Sequence, residues 1–96
     1  MGVFVFFDLP TGTPKERKAA TSFRQELLKD GFTMFQYSIY MRHCASMEQA
    51  QTHLRRVKAM LPDEGEVVIM TLTDKQFGMM EHFSSRKPTD AVQLPG

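Results

Sequence analysis

Asp8 is the residue best placed for chemistry in this sequence. The apolar strand Val3-Phe4-Val5-Phe6-Phe7 leads directly into this carboxylate, and the turn Leu9-Pro10-Thr11-Gly12 follows it. Carboxylate oxygens are ligands for Mg²⁺, which also keeps several waters and binds substrate phosphates. A single aspartate is too few for such a site, so Asp8 would need a second carboxylate. The alternative is structural, because aspartates at strand ends often accept hydrogen bonds from the amides of the following turn.

Two groups of basic residues have types and positions suited to nucleic-acid phosphates. The first lies at the start of a predicted helix, where cations oppose the helix dipole but can meet phosphates together with exposed amides. The second lies at the end of a middle strand and on a second helix. The candidates are Lys15, Arg17, Lys18, Arg42, Arg55, Arg56 and Lys58. They favour sequence-independent duplex binding, although ordinary solvated helix faces would carry similar charges.

Other catalytic chemistries find less support. Cys44 is the only cysteine, which excludes an internal disulfide and a zinc cluster of cysteines. His43, His53 and His82 lack the paired spacing of metal ligands, and we expect them to be surface or structural residues. Ser38 lacks the glycine-flanked elbow of a hydrolase nucleophile. Its hydroxyl is expected in the middle of a strand, bonded to a neighbour.

Length and composition predict one ordinary globular domain. The sequence has 96 residues, of which 24% are charged and 42% hydrophobic. No apolar run approaches the roughly 20 residues of a membrane span, and the start of the sequence lacks the features of a signal peptide. We therefore expect a cytoplasmic domain that contacts no membrane.

Capping signals define two helices. Thr13-Pro14-Lys15-Glu16 reads as a capping box with proline at the first helical position, and Gly31 is a typical helix end. Ser46-Met47-Glu48-Gln49 begins a second helix, which Pro62 ends. The apolar stripe of this helix is predicted to consist of Met47, Ala50, Leu54, Val57 and Leu61.

The strands surround these helices. Phe32 to Arg42 and Glu66 to Thr73 are rich in aromatic and β-branched residues, and Met79 to Phe83 is a weaker candidate. The order strand, helix, extended segment, helix, strand predicts an α+β sandwich of ferredoxin-like βαββαβ type, with two helices on one sheet face and the other face open. The fold needs two strands from Phe32 to Arg42, yet no turn signal divides that segment.

The first strand is apolar on both faces. Side chains alternate, so Val3, Val5 and Phe7 line one face and Phe4, Phe6 and Asp8 line the other. A short chain has few elements to cover both faces, and we expect a partner or a ligand on one of them. Tyr37 and Tyr40 are likewise predicted to lie on opposite faces, so that only one is core and the other is available to a dimer interface or a nucleic acid.

One segment makes a family resemblance specific. Gln36-Tyr37-Ser38-Ile39-Tyr40 follows an aspartate-ended first strand with Pro10 behind it, a basic first helix, and Gly31-Phe32. Together these features resemble the small CRISPR-associated adaptation proteins, a ferredoxin-like family that accompanies the CRISPR spacer integrase and is also described as a metal-dependent nuclease of RNA or DNA. The match runs from about Val3 to Thr73. It departs at Met41, where many relatives carry an acidic residue.

The resemblance implies an assembly as well as a fold. It implies that the extended segment bends near Gln36 to Ser38, and that Gln36, Ser38 and Tyr40 have structural or interface roles. It also implies a symmetric homodimer through the open sheet face, with an additional carboxy-terminal strand packed on the neighbouring subunit. The ferredoxin-like domain would cover residues 1–83, and a tail of residues 84–96 would contact the partner subunit or the integrase. Asp8 and its dimer mate would hold Mg²⁺ and form the catalytic site.

Three functions follow as expectations. The first is a structural DNA-binding subunit of spacer acquisition, which bridges integrase dimers and holds a short DNA duplex. The alternative is a metal-dependent endonuclease that cuts RNA or DNA phosphodiesters. The third is a single-stranded RNA-binding module whose open sheet face stacks bases on Phe4 and Phe6.

Overall fold

The computed structural model describes residues 1–85 and the backbone of residues 87–88, and it has the predicted ferredoxin-like architecture. Its elements are β1 (Gly2–Asp8), α1 (Pro14–Lys29), β2 (Thr33–Gln36), β3 (Ile39–His43), α2 (Met47–Ala59), β4 (Glu66–Leu72), α3 (Asp74–Gly78), β5 (Phe83–Ser84) and β6 (Lys87–Pro88). The main sheet has the strand order β2-β3-β1-β4, and all its pairs are antiparallel. The α+β prediction is therefore confirmed.

The extended segment divides into two strands, as the resemblance implied. Gln36 pairs with Ile39, which leaves Tyr37 and Ser38 as the turn of the hairpin between β2 and β3. The register shifts between Met34 and Gln36, and such an irregularity bends a strand locally. Ser38 thus lies in a turn, and the expectation that it sits in the middle of a strand is wrong.

The two faces of β1 are buried on opposite sides of the sheet, as alternation predicted. Val3, Val5 and Phe7 pack with α1 and α2 in the main core. Phe4 belongs to a second, smaller cluster on the other face. The sheet is therefore apolar on both sides along its central strand.

Helix α1 begins and ends where its sequence signals predicted. The Thr13 and Glu16 side chains form the capping box. At the other end Gly31 adopts a φ of +89°, a conformation that favours glycine. The Phe32 amide donates to the Leu27 carbonyl at 3.0 Å, which is the longer hydrogen bond of a Schellman motif. This motif turns the chain sharply and places Phe32 in the core.

Helix α2 has an apolar stripe that differs from the prediction. Ala50 and Val57 are buried as expected, but His53 is buried beside them. Met47 and Leu61 are exposed, so their prediction as core residues is wrong. The buried histidine takes part of the stripe because Asp30 supplies a partner for its ring nitrogen.

A third helix partly covers the face that was expected to be open. Helix α3 begins with a capping box between Thr73 and Gln76, and its Phe77 packs on the ring of Phe4 with 5.8 Å between ring centroids. The strand predicted over Met79 to Phe83 begins only at Phe83 and pairs with β6 in a separate hairpin. The predicted additional strand is thus present only from Phe83, and a short helix that was not predicted precedes it.

Candidate functional site

Asp8 lies at the end of the central strand, with its side chain exposed to solvent. In the residues that the structure describes, its carboxylate has neither a hydrogen bond nor an ion pair. The proposed role of Asp8 as a cap for the following turn therefore has no hydrogen bond to support it. The carboxylate is free to bind a ligand.

The backbone of Asp8 is held closely even though its side chain is not. Gly65, just before β4, has a φ of +94°. A Cβ atom at Gly65 would lie 2.8 Å from the Asp8 carbonyl oxygen and 2.9 Å from the Leu9 side chain. Such a contact is too short for a carbon atom, so glycine allows the start of β4 to approach the end of β1.

The turn of the β2–β3 hairpin lies against the same end of β1. The Phe7 amide donates to the Ser38 carbonyl at 3.1 Å, so the predicted motif contributes through its backbone. Tyr40 is buried in the main core, whereas Tyr37 is 80% exposed. The motif therefore has one core tyrosine and one exposed tyrosine, as predicted, and the exposed one lies next to the Asp8 end of the sheet.

Arg24 connects this exposed tyrosine to the core. Its guanidinium carbon lies 5.8 Å from the centroid of the Tyr37 ring and 5.5 Å from that of Phe7. Both distances are within the range of cation–π attraction. Sequence reasoning missed Arg24, because its role depends on a ring that lies far along the chain.

The carboxylates near Asp8 offer an incomplete metal site within one protomer. Glu66 is directly opposite Asp8 in the β1–β4 register, so the two side chains project from the same sheet face. Oxygen ligands of this kind suit Mg²⁺. However, the described part of the chain contains no group of three or more histidine, cysteine, aspartate or glutamate residues that could hold a metal ion.

The predicted phosphate-binding residues differ in how free they are. Lys15 and Lys18 are exposed at the start of α1, and Arg17 donates to the Thr11 carbonyl at 3.1 Å. On α2, Arg55 contacts the Thr52 hydroxyl at 3.3 Å. Lys58 is also exposed. These five predicted residues lie on helices and present charge to solvent.

Arg42 and Arg56 also have structural partners. Arg42 donates from Nη1 to the Asp30 carbonyl at 3.0 Å, and a Cβ atom at Gly31 would lie 1.7 Å from the same nitrogen. Arg56 donates to Asp30 Oδ1 at 2.9 Å. Both arginines therefore stabilise the carboxyl end of α1, whatever else they bind.

Asp30 and His53 form a buried pair that sequence reasoning did not identify. His53 Nδ1 lies 2.7 Å from Asp30 Oδ2, and the two side chains are 5% and 9% exposed. Burial by itself raises the pKa of Asp30, but hydrogen bonds and charges from His53 and Arg56 outweigh it and hold that pKa below its ordinary value. The only local signal was a histidine next to the apolar stripe of α2.

The sheet face opposite the helices keeps an exposed apolar strip on β4. Val68 is 60% exposed and Met70 is 42% exposed, and they pair in register with Phe6 and Phe4. Phe4 itself is only 2% exposed, so it cannot stack a nucleic-acid base as the third expectation required. The strip on β4 remains available for contact with another molecule.

Membrane insertion through a helix has no support in the described residues. None of their helices combines the length and apolarity that a membrane span requires.

Comparison with known proteins assigns the family. The family model described as "CRISPR associated protein Cas2" matches residues 1–80. A protein of Flavobacterium psychrophilum named CRISPR-associated endoribonuclease Cas2 is 57% identical over 88 residues, which are 92% of this chain and 76% of that protein. A protein of the same name from Parvibaculum lavamentivorans is 52% identical over 95 residues, or 99% of this chain and 94% of that protein.

A more distant relative shows the same likeness. The protein named CRISPR-associated endoribonuclease Cas2 in Ligilactobacillus salivarius is 38% identical over 87 residues, which are 91% of this chain and 86% of that protein. The resemblance drawn from the aspartate-ended strand and the Gln36 to Tyr40 motif is thereby confirmed, and the chain belongs to the CRISPR-associated Cas2 family.

Proposed function

We propose that this chain is a metal-dependent endoribonuclease in which Asp8 is the catalytic carboxylate. The observation that carries the proposal is an exposed, unpartnered carboxylate on a backbone that is fixed from two sides. The names of the relatives, CRISPR-associated endoribonuclease Cas2, support the same activity. An aspartate that stabilises only its own fold would be expected to have partners, as Asp30 does.

The proposed site is completed by a two-fold dimer. A dimer places the same residue of each subunit about a common axis, so Asp8 from two copies can face one cleft. The strip formed by Val68 and Met70 lies on the same sheet face as Asp8, and it offers apolar surface for such an interface. Dimerisation would therefore add the partner copy of Asp8 to the carboxylates that one protomer offers at this end of the sheet, Asp8 and Glu66.

In the proposed site, Mg²⁺ would be held by the two copies of Asp8. The ion would polarise a phosphodiester and lower the pKa of a bound water. The chain itself would fix the Asp8 backbone through Gly65 and Ser38, and the cations of α1 would neutralise substrate phosphates. Positioning and charge neutralisation are therefore the parts that the protein supplies.

The test is cleavage of a labelled RNA by purified parent protein and by Asp8→Asn with Mg²⁺ present. We expect Asp8→Asn to lose cleavage and to keep the melting temperature of the parent, because the side chain is exposed and has no partner in the described residues. Asp63→Asn removes another exposed carboxylate and serves as the matched control. Equal cleavage by the parent and Asp8→Asn would refute the proposed site.

A second candidate function is supported by the exposed cations of α1 and α2. In this candidate, the dimer is a structural subunit of spacer acquisition that bridges integrase dimers and holds a short DNA duplex in the cytoplasm. Two copies would double the set of cations, which suits contacts to the phosphate backbone. The tail assigned to the integrase, residues 84–96, lies almost entirely outside the described residues.

Salt dependence separates this candidate from a simple nuclease. Each lost phosphate contact lowers the slope of log affinity against log salt concentration by about 0.9 for B-form DNA. The double variant Lys15→Ala/Lys18→Ala should therefore reduce this slope by about 2 per protomer. In a second test, the parent should co-purify with the CRISPR spacer integrase. An unchanged slope together with no co-purification would exclude the structural role.

A further inference from the structure

Tyr37 stands out among the surface side chains because it is aromatic and almost fully in solvent. At 80% exposure it is the most exposed of the large hydrophobic residues in the described part of the chain. It occupies the turn between β2 and β3. Exposure of this kind leaves a ring face available to a ligand with its own flat surface.

The ring of Tyr37 is restrained before any ligand arrives. The Arg24 guanidinium lies within cation–π distance of both Tyr37, at 5.8 Å, and Phe7, at 5.5 Å. Phe7 is only 5% exposed, so the arginine connects the exposed ring to a fixed core residue. A ring held in this way loses less conformational freedom on binding, which favours affinity.

Tyr37 lies at the same end of the sheet as the candidate catalytic carboxylate. The hydrogen bond from the Phe7 amide to the Ser38 carbonyl, 3.1 Å long, joins the residue before Asp8 to the residue after Tyr37. Phe7 faces the helices and Asp8 faces the opposite side. A single strand of nucleic acid that wraps around this edge of the sheet would contact both Tyr37 and Asp8.

We infer that Tyr37 and Arg24 form a stacking platform for an unpaired base of single-stranded RNA. Base–aromatic stacking is tolerant of sequence because every base has a π-face, and arginine adds positive charge beside the ring. Paired bases inside a duplex have their faces covered by their neighbours, so this platform selects single strands. The choice of RNA rests on the proposed endoribonuclease function, whereas the stacking contact itself requires no cleavage.

The experiment measures binding in EDTA by the anisotropy of a labelled single-stranded RNA. Tyr37→Ala should weaken binding about 5- to 150-fold, the range expected for one lost base–aromatic stack. Tyr37→Phe keeps the ring and should bind within about twofold of the parent. Phe83→Ala, which removes another ring that is 56% exposed, is the matched control and should bind like the parent.

Two further measurements distinguish stacking from charge. A 2-aminopurine placed in the strand should lose fluorescence on binding to the parent, and this loss should be smaller with Tyr37→Ala. Tyrosine carries no charge at neutral pH, so Tyr37→Ala should leave the salt slope unchanged, whereas Arg24→Gln should lower it. Affinity for a blunt duplex should not change in Tyr37→Ala.

The inference is overturned if Tyr37→Ala binds single-stranded RNA as tightly as the parent. It is also overturned if the variant loses affinity for the duplex to the same extent, or if light scattering shows that it changes the oligomeric state, because the ring would then serve a subunit interface. Cleavage is scored separately. Weak single-strand binding by Tyr37→Ala, together with full cleavage by Asp8→Asn, would refute the nuclease site and retain the platform.

Discussion

Replacing Asp30 should destabilise this protein more than replacing any of its exposed carboxylates. Asp30 caps the carboxyl end of α1 and accepts hydrogen bonds from His53 and Arg56 of α2. Its carboxylate can only accept, so His53 Nδ1 is the donor in their contact. Asp30→Ala removes both hydrogen bonds and leaves a buried imidazole without its partner.

The burial of each partner sets the size of the effect. His53 is 5% exposed and Arg56 is 58% exposed, while Asp30 is 9% exposed. A buried hydrogen bond to a charged group contributes about 1.5–3 kcal/mol, whereas an ion pair with an exposed arginine contributes about 0–1 kcal/mol. Asp30→Ala should therefore lower the free energy of unfolding by about 2–3 kcal/mol, and Arg56→Gln by less than about 1 kcal/mol.

Urea denaturation at several pH values is the assay. The pKa of Asp30 is held below its ordinary value of 3.8, so the folded state favours the ionised carboxylate. Its stabilisation is fully present above that value and is lost as the pH falls through the lower pKa of the folded state. The stability difference between the parent and Asp30→Asn should shrink as the pH falls below about 4.

A double-mutant cycle provides the refutation. The coupling energy between Asp30 and His53 should exceed that between Asp30 and Arg56, because only the first pair is buried at both ends. Equal coupling energies would show that burial does not determine the strength of these contacts. A stability difference between the parent and Asp30→Asn that does not vary with pH would show that the ionised form of Asp30 does not stabilise the fold.

Two further predictions concern the surroundings of Asp8 and the added helix. Gly65→Ala should destabilise the fold by about 1–2 kcal/mol and reduce cleavage, because its Cβ atom would lie 2.8 Å from the Asp8 carbonyl oxygen. The control in thermal melts is Gly78→Ala. Its Cβ atom has open space, so this variant should not lower the melting temperature. Phe77→Ala removes a side chain that is 3% exposed and should lower the free energy of unfolding in urea by about 3–5 kcal/mol. The control is Met79→Ala, which removes a side chain that is 72% exposed. Its free energy of unfolding should stay within about 0.5 kcal/mol of the parent. An unaffected Phe77→Ala would mean that α3 does not cover the sheet.

Local signals predicted the elements of this fold well. The capping box of Thr13 and Glu16 depends on residues that are close in sequence, as does the left-handed glycine after α1. The same kind of signal is present for α3, since Thr73 and Gln76 form another capping box. Helix α3 was nevertheless not predicted, and only a strand over Met79 to Phe83 was expected after β4. A five-residue helix has too short an apolar pattern to show its period.

Contacts between distant segments were harder to predict. His53 and Asp30 are 23 positions apart, and nothing in the pattern of α2 indicates that its core can accept an imidazole. The turn at Tyr37 and Ser38 contains neither glycine nor asparagine, the usual signals of a tight hairpin. The position of Asp30 depends on how α1 ends, because Asp30 is the cap residue of that helix.

Asp8 and Asp30 show what separates a structural aspartate from a candidate catalytic one. Asp30 has two side-chain partners and little exposure, so most of its interactions are already made within the fold. Asp8 has a fixed backbone but no side-chain partner in the described residues, so its substitution should leave the free energy of unfolding within about 0.5 kcal/mol of the parent. Urea denaturation measures this directly. A loss comparable to that of Asp30→Ala would mean that Asp8 serves the fold, and the nuclease proposal would lose its main support.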